Sequence, residues 1–194
     1  MNSKLTDLAE WGSFALVTYI PEPLGLFLHG LREQLPGDDN PQAHITVLPP
    51  RPLQVAVEQV AHEAQSVLRR FQPFAVELSD VKAFPDTNIL YLDIVGGNEH
   101  LHELHARLNS GKLAHVENFA FLPHLTISGS VPKKQLAKVL NEAKKAWTKH
   151  VGDRTFQVSE VVALWQRAGG SPDDWNRVWS QKLGKAGNSA RAGH

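Results

Sequence analysis

The sequence has no cysteine, no long apolar run and no excess of charge of either sign. Without cysteine the chain can form no disulfide, no thiolate metal site and no cysteine nucleophile. Twenty basic residues balance twenty acidic ones, so a nucleic-acid ligand would need a local site rather than a general positive field. No apolar run approaches the roughly 20 residues of a membrane span. Residues 1–10 lack the basic and then apolar layout of a signal peptide, so we expect a cytoplasmic protein.

Several common catalytic motifs are also missing. The chain has no Gly-rich phosphate loop, no Cys-x-x-Cys pair, no Gly-x-Ser-x-Gly elbow and no His-Glu-x-x-His zinc motif. What is present is ordinary for a globular domain, with 42% hydrophobic and 21% charged residues. A chain of 194 residues buries about 70% of its unfolded surface without disulfides. We therefore expect one folded domain over residues 1–183 and, because its end has little apolar content, a disordered tail over 184–194.

Hydrophobic periodicity predicts an alternation of strands and helices. Alternating or β-branched and aromatic runs predict strands at Ser13–Ile20, His44–Leu48, Phe74–Phe84, Ile89–Val95, His124–Ser128, Thr155–Trp165 and Trp175–Leu183. A period of 3.6 predicts four helices, which carry the apolar faces Leu24–Leu35, Leu53–Phe71, Leu101–Leu108 and Leu136–Trp147. The order of a short His-bearing strand, a helix and a hairpin occurs twice. This pattern indicates an internal repeat of a small α+β unit.

One short motif, a His–apolar–Thr–apolar tetrapeptide, occurs in each half of the repeat. The two copies are His44–Val47 (HITV) and His124–Ile127 (HLTI). In a strand, residues i and i+2 point to the same face, so each His projects together with its Thr while the apolar residues face the core. An approximate twofold axis between the halves would bring the two His-Thr pairs together across a cleft.

Two imidazoles and two hydroxyls in one cleft suit acid–base chemistry on a phosphodiester. Imidazole titrates near 6.5, so a neutral His can take a proton from water while a protonated His gives one to a leaving oxygen. Thr hydroxyls are neutral donors that can hold the non-bridging phosphate oxygens. We predict that His44 and His124 form the catalytic pair, in which either ring can be the general base or the general acid. We predict that Thr46 and Thr126 bind the substrate. This chemistry needs no metal and no cofactor.

At these residues the sequence resembles the two-histidine (2H) phosphoesterase superfamily, which includes RNA 2',3'-cyclic phosphodiesterases and the bacterial proteins called 2'-5' RNA ligases. The hallmark of that superfamily is a pair of His-x-Thr/Ser motifs at the spacing found here, where His44 and His124 are separated by 80 positions. The contexts AHITVLPP and FLPHLTIS look like its two motifs, and the resemblance covers most of residues 13–183. It implies a bilobal α+β fold with pseudo-twofold symmetry, in which antiparallel sheets line a central cleft and helices pack outside.

The resemblance implies a metal-independent phosphodiesterase that hydrolyses 2',3'-cyclic phosphates at RNA ends or in small cyclic nucleotides. Cyclic phosphodiesterases of this kind tend to carry Arg near the hairpin strand after the first motif and just after the second motif. Here those stretches are Asn88–Tyr91 and Ser128–Ser130, which hold no Arg, so both substrate types stay open. We expect a monomer that has no protein partner and does not bind a membrane.

Other hypotheses remain open from the sequence. The same fold could ligate RNA ends or cleave a 2'-5' linkage, or the cleft could bind a nucleotide or RNA end without turnover. His100, His102 and His105 could hold a metal, although no carboxylate pair completes a site and a solvated helix face explains them better. Tyr91 and Trp165 could stack on a base, although aromatic residues in strands are more often core residues.

Overall fold

The computed structural model describes residues 11–36, 42–171 and 174–184, which form one curled antiparallel sheet with helices packed against it. The strands are β1 (Trp11–Tyr19), β2 (His44–Pro52), β3 (Phe74–Ala83), β4 (Ile89–Gly96), β5 (Leu125–Ser130), β6 (Thr155–Val158), β7 (Glu160–Arg167) and β8 (Trp175–Lys182). The helices are α1 (Leu24–Glu33), α2 (Val57–Arg70), α3 (Asn98–Leu108) and α4 (Leu136–Thr148), with a 3-10 turn at Gly111–Leu113. Apart from Gly184, the predicted tail lies outside the described residues.

The sheet is built from two similar halves that meet at its centre. The strand order is β6-β3-β4-β5-β2-β1-β7-β8, and neighbouring strands are antiparallel. We call β1, β2, β7 and β8 the first lobe, and β3, β4, β5 and β6 the second lobe. The strand that carries a His motif is innermost in each lobe, and the lobe's other strands follow outward in corresponding order. This arrangement confirms the bilobal α+β fold with pseudo-twofold symmetry.

Each lobe combines segments from both halves of the chain. The hairpin β3–β4 follows the first His motif along the chain, yet it pairs with β5, which carries the second motif. The strands β7 and β8, which come after the second motif, extend the sheet from β1 in the first lobe. The helices divide in the same way, since α2 and α3 pack on β8 and β2, whereas α1 and α4 pack on β5 and β3.

The predicted strand over Thr155–Trp165 is wrong in one respect, because it breaks into two strands at Ser159. The first part, β6, is an edge strand of the second lobe beside β3, whereas the second part, β7, pairs with β1 in the first lobe. These strands stand near opposite ends of the strand order although one residue separates them. The sheet must therefore curl until its two ends approach each other. The Ser159 carbonyl accepts a hydrogen bond from the Leu183 amide at this point.

The main core lies between the sheet and the helices and follows the predicted periodicity. The face of α2 that packs inward carries Val57, Val60, Ala64 and Leu68, all at most 1% exposed. Full burial of one such Val or Leu side chain is worth roughly 1.5–3 kcal/mol, so this stripe fixes the position of the helix. In the described part of the chain, no helix is long and apolar enough to cross a membrane.

Candidate active site

The two His-x-Thr motifs lie side by side at the centre of the sheet, where β2 meets β5. Ile45 pairs with Leu125 in antiparallel register, and both side chains are fully buried. Residues equally far from such a pair face each other across the ladder, so each His lies opposite the Thr of the other motif. These polar side chains are half-buried on the other face of the sheet. The structure therefore brings together the four predicted site residues, His44, Thr46, His124 and Thr126.

The surroundings of the two motifs match closely. Along residues 42–50 and along residues 122–130, the side chains follow the same order of exposed, buried and half-buried positions. Each motif strand also has a β-bulge directly after its Thr, where two of its residues oppose a single Leu, Leu16 in the first lobe and Leu90 in the second. Because a bulge bends its strand and re-aims neighbouring side chains, it places both His-Thr pairs in similar orientations.

Each imidazole is held by the backbone two residues before it. Nδ1 of His44 lies 3.0 Å from the Gln42 carbonyl oxygen, and Nδ1 of His124 lies 2.8 Å from the Leu122 carbonyl oxygen. A carbonyl oxygen only accepts hydrogen bonds, so Nδ1 carries the hydrogen in both rings. The lone pair of a neutral ring is then on Nε2, and a protonated ring has its second hydrogen there. Both rings are therefore set to exchange a proton through Nε2.

Aromatic rings surround the His124 imidazole in the second lobe. Its centroid lies 5.0 Å from that of Phe84 and 5.5 Å from that of Tyr91, with both rings edge-on to it. Burial lowers the pKa of His124 below its ordinary value, and the hydrogen bond to the Leu122 carbonyl offsets part of this effect. His124 therefore keeps its neutral form to a lower pH than an exposed imidazole does.

The first lobe gives His44 a different set of neighbours. Its cross-strand partner Tyr19 presents a ring whose centroid is 6.1 Å away. Burial raises the pKa of Tyr19, and the positive charge of Arg177 opposes this effect. Arg177 lies 3.8 Å from the Glu160 carboxylate. The two imidazoles therefore share a backbone geometry but not an environment.

A cation in the second lobe was not predicted as a site residue. Lys82 is the cross-strand partner of Tyr91, which in turn pairs with Thr126. Two strand spacings amount to about 10 Å, so the Lys82 backbone lies at that distance from the Thr126 backbone. A hydrogen bond to Asp93 raises the pKa of Lys82. Strict alternation from Phe74 would place Lys82 on the same face as Val76 and Leu78. The register shift between Leu78 and Val81 buries Val81 instead and leaves Lys82 exposed on the face that borders the site.

The three histidines of α3 do not form a metal site. His100 stacks on Phe74 with centroids 5.2 Å apart, whereas His102 and His105 both contact Phe121. Among residues 11–36, 42–171 and 174–184, no group of three or more His, Cys, Asp or Glu is arranged to hold a metal.

The two candidate stacking residues lie in different places. Trp165 is fully buried in the main core, where its ring lies 5.4 Å from that of Phe14. A base could not reach it there. Tyr91 lies on the site face of the sheet beside His124, although it is 8% exposed and already stacks on Phe84.

A family model described as the 2'-5' RNA ligase superfamily matches residues 20–170, which include both His-x-Thr motifs and six of the eight strands, β2 to β7. The chain belongs to the 2'-5' RNA ligase superfamily. This membership confirms the resemblance to the two-histidine phosphoesterases.

Two bacterial relatives of this superfamily member carry names that propose a phosphoesterase. The protein of Geobacillus kaustophilus is 27% identical over 140 residues, which cover 68% of this chain and 77% of the relative. The protein of Halalkalibacterium halodurans is 30% identical over 153 residues, which cover 73% of this chain and 84% of the relative. These names support phosphoesterase activity in general, and they specify no substrate.

Solved structures share the fold of this superfamily member. The apo crystal structure of Escherichia coli LigT has a TM-score of 0.63 at 12% identity and covers 91% of this chain and 99% of LigT. A protein of Thermus thermophilus has a TM-score of 0.61 at 13% identity, covering 90% and 100% of the two chains. LigT has also been crystallised with 3'-AMP, with ATP and with NADP+. At these identities the likeness shows the fold alone.

Proposed function

We propose that this 2'-5' RNA ligase superfamily member hydrolyses 2',3'-cyclic phosphodiesters, in RNA ends or small cyclic nucleotides, by acid–base catalysis between its two histidines. The observation that carries the proposal is the antiparallel pairing of Ile45 with Leu125. That single register sets two imidazoles and two hydroxyls on one face, with both rings fixed through Nδ1. Paired imidazoles supply both proton transfers, so the reaction requires no metal.

The unlike environments of the two rings favour a division of roles. Burial lowers the pKa of His124, so we assign His124 as the general base and His44 as the general acid. His124 takes a proton from water as the water oxygen bonds to phosphorus. The bond from phosphorus to one ribose oxygen breaks, and His44 gives that oxygen its proton. The product is a phosphomonoester beside a free ribose hydroxyl, with one water consumed.

The two threonines complete the site as donors to the phosphate. Each Thr lies opposite the His of the other motif, so a phosphate seated between the rings lies within reach of both hydroxyls. Donors aimed at the non-bridging oxygens stabilise the charge that develops in the transition state. Thr46 and Thr126 therefore act on the reaction rate as well as on binding.

Cleavage or formation of a 2'-5' linkage is the second candidate function, because the matched family model carries that description. The same two proton transfers serve this reaction when a ribose hydroxyl replaces water. Products from cyclic-ended RNA and from a 2'-5'-linked dinucleotide separate the two activities. Hydrolysis of the first substrate alone supports the proposal, and turnover of the second alone contradicts it.

The test is hydrolysis of a 2',3'-cyclic nucleotide in the presence of a chelator, by the wild type and by two variants. We expect turnover to survive chelation and to fall at least about a hundredfold in His44→Ala and in His124→Ala, because each ring transfers a proton. Release of the phosphomonoester, followed by chromatography, measures the rate.

The matched control is His62→Ala, which removes an exposed imidazole from α2 and should leave the rate unchanged. Activity that is indifferent to the His44 and His124 substitutions contradicts the site assignment. The binding-module hypothesis predicts that cyclic nucleotides and cyclic-ended RNA both bind tightly and that neither is hydrolysed. That result would show a binding module in place of an enzyme.

A further inference from the structure

Four polar side chains, two of them buried and two half-buried, lie together on the helix side of the sheet, behind β2. We call this group the Arg51 cluster; it consists of Arg51, His105, Asn109 and Glu117. Arg51 is 2% exposed and His105 is 8% exposed. A charge is costly to bury unless it is paired and hydrogen-bonded, so the contacts of this cluster show which segments it holds in place.

Arg51 joins the end of β2 to three later segments of the chain. Its Nη1 donates to Asn109 Oδ1 at the end of α3, at 2.7 Å, and to the Leu113 carbonyl oxygen, at 2.9 Å. Its Nη2 donates to Glu117 Oε1 at 2.6 Å. Its Nε donates to the carbonyl of Pro49 in its own strand, at 3.1 Å. Every nitrogen of the planar guanidinium therefore donates a hydrogen bond, which fixes its orientation.

His105 links the first His motif to the same segment. Its Nδ1 lies 2.9 Å from the carbonyl oxygen of Val47, the residue after Thr46, and its Nε2 lies 3.5 Å from Glu117 Oε2. Its ring stacks on that of Phe121, with centroids 3.8 Å apart and planes 6° from parallel. One imidazole thus contacts both the bulge behind the first motif and the chain that leads into the second.

That chain is residues 114–124, which form neither helix nor strand and end at His124. Its other large apolar side chains give it little anchorage, since Val116 is 90% exposed and Phe119 is 82% exposed. The described contacts that tie it to the rest of the protein include the His115 amide, which donates to Asn109 Oδ1 at 2.9 Å, and the contacts of Glu117 and Phe121 with the cluster.

The position of this segment bears directly on His124. Its residue Leu122 supplies the carbonyl that accepts from His124 Nδ1 and so sets which nitrogen faces the site. Phe121, one residue earlier, is the ring that His105 holds by stacking. A shift of the segment would therefore move the Leu122 carbonyl and rotate the His124 imidazole. It could also allow the ring hydrogen to move from Nδ1 to Nε2.

We propose that Arg51, His105 and Glu117 are positioning residues that hold residues 114–124 against β2 and thereby align His124 with His44. The expected effect on turnover rests on the proposed function. The alignment of the His124 ring does not, because it can be measured without any substrate.

The first test variant is Glu117→Gln, which keeps the shape of the side chain and removes its charge. A misplacement of about 1 Å can cost on the order of a hundredfold in rate, so we expect kcat to fall between about tenfold and a hundredfold. KM should change less than about twofold, because the threonines are unaltered. In ¹⁵N NMR spectra, the His124 ring should change from one Nδ1–H tautomer to a mixture of tautomers.

Glu103→Gln is the matched control, because this carboxylate lies on the exposed face of α3 and pairs with Arg107. It should leave kcat and the His124 spectrum unchanged. If Glu117→Gln does not fold, His105→Phe takes its place, since it keeps the ring stack on Phe121 and removes both polar contacts.

The NMR measurement separates this inference from the proposed function. A wild type without turnover refutes the proposed function, and the tautomer of His124 in the variants still tests the alignment. Folded variants with an unchanged kcat and an unchanged His124 tautomer overturn the inference. A lower melting temperature with an unchanged tautomer also overturns it, because the cluster would then be structural only.

Discussion

At the scale of single residues, the two histidines differ in environment although they share a backbone geometry. Both rings donate from Nδ1 to a carbonyl two residues earlier, so both direct Nε2 away from the strand. His124 packs edge-on against the stacked rings of Phe84 and Tyr91, whereas His44 borders the phenol of Tyr19. Burial disfavours the charged imidazole, so the packing of each ring decides which one is neutral at a given pH.

The pH dependence of activity tests this difference. We expect a bell-shaped profile, because the base must be neutral and the acid protonated. On the acidic side of the profile, the rate rises with pH as His124 loses its proton. Because burial lowers the pKa of His124, the midpoint of this rise should lie below the ordinary imidazole pKa of about 6.5. Phe84→Ala admits water to the ring and should move the limb to higher pH.

Phe119→Ala is the control for that measurement, since Phe119 is 82% exposed and its removal should leave the profile in place. The profile is measured as kcat/KM from pH 4.5 to about 9 in buffers of constant ionic strength, a range that brackets the ordinary imidazole pKa. An acidic limb that does not move in Phe84→Ala contradicts the assignment of His124 as the buried base.

At the scale of elements, the site depends on the packing behind β2 and β5. The described register between these strands is the single pair Ile45–Leu125, whereas β1 and β7 pair along most of their length. Both residues of that pair are fully buried. Apolar burial beneath the motifs, together with few backbone hydrogen bonds, therefore holds the two motif strands together.

Leu125→Ala tests how much this packing contributes to stability. Truncation of a fully buried Leu leaves a cavity and typically costs 2–5 kcal/mol, so we expect the free energy of unfolding to fall by about 3 kcal/mol. Urea unfolding followed by circular dichroism measures the loss. Leu26→Ala makes the same truncation at a side chain that is 62% exposed and should change stability by less than about 0.5 kcal/mol. Equal losses in the two variants would contradict this account of the strand junction.

At the scale of the whole molecule, neither half of the chain contains a complete lobe. The strand β3 from the first half needs β4, β5 and β6, while β1 and β2 need β7 and β8 to extend their lobe. The break at Ser159 carries the chain directly from one lobe to the other. The two lobes therefore have to form together, and the cleft between them exists only in the complete sheet.

Separated halves of the chain test this interleaving. A cut between Asp86 and Thr87, both exposed in the turn between β3 and β4, gives fragments that match the structural repeat. We expect neither fragment alone to show dispersed NMR signals or a cooperative unfolding transition, because each would expose apolar surface that the other covers. Coexpression should restore both signals. A cooperative transition in either isolated fragment would contradict the interleaved arrangement.

Much of this organisation could be predicted from the chain alone, because local patterns encode it. Alternation and helical periodicity located most of the elements, and the repeated His-x-Thr motif predicted four candidate site residues that the structure brings to one face of the sheet. Other features depend on contacts between distant segments. The break at Ser159 and the alignment of Lys82 with Tyr91 and Thr126 across three strands both follow from strand register, which no local pattern specifies.

The chain by itself thus determined which residues can do chemistry, since a His and a Thr two positions apart share a face of any strand. Only the tertiary structure decided how these residues are arranged. Antiparallel pairing at one residue pair placed the motifs together, and packing against aromatic rings lowered the pKa of one imidazole. The Arg51 cluster likewise joins residues that lie up to 66 positions apart. Proximity, burial and register arise when distant segments meet, so no local pattern reveals them.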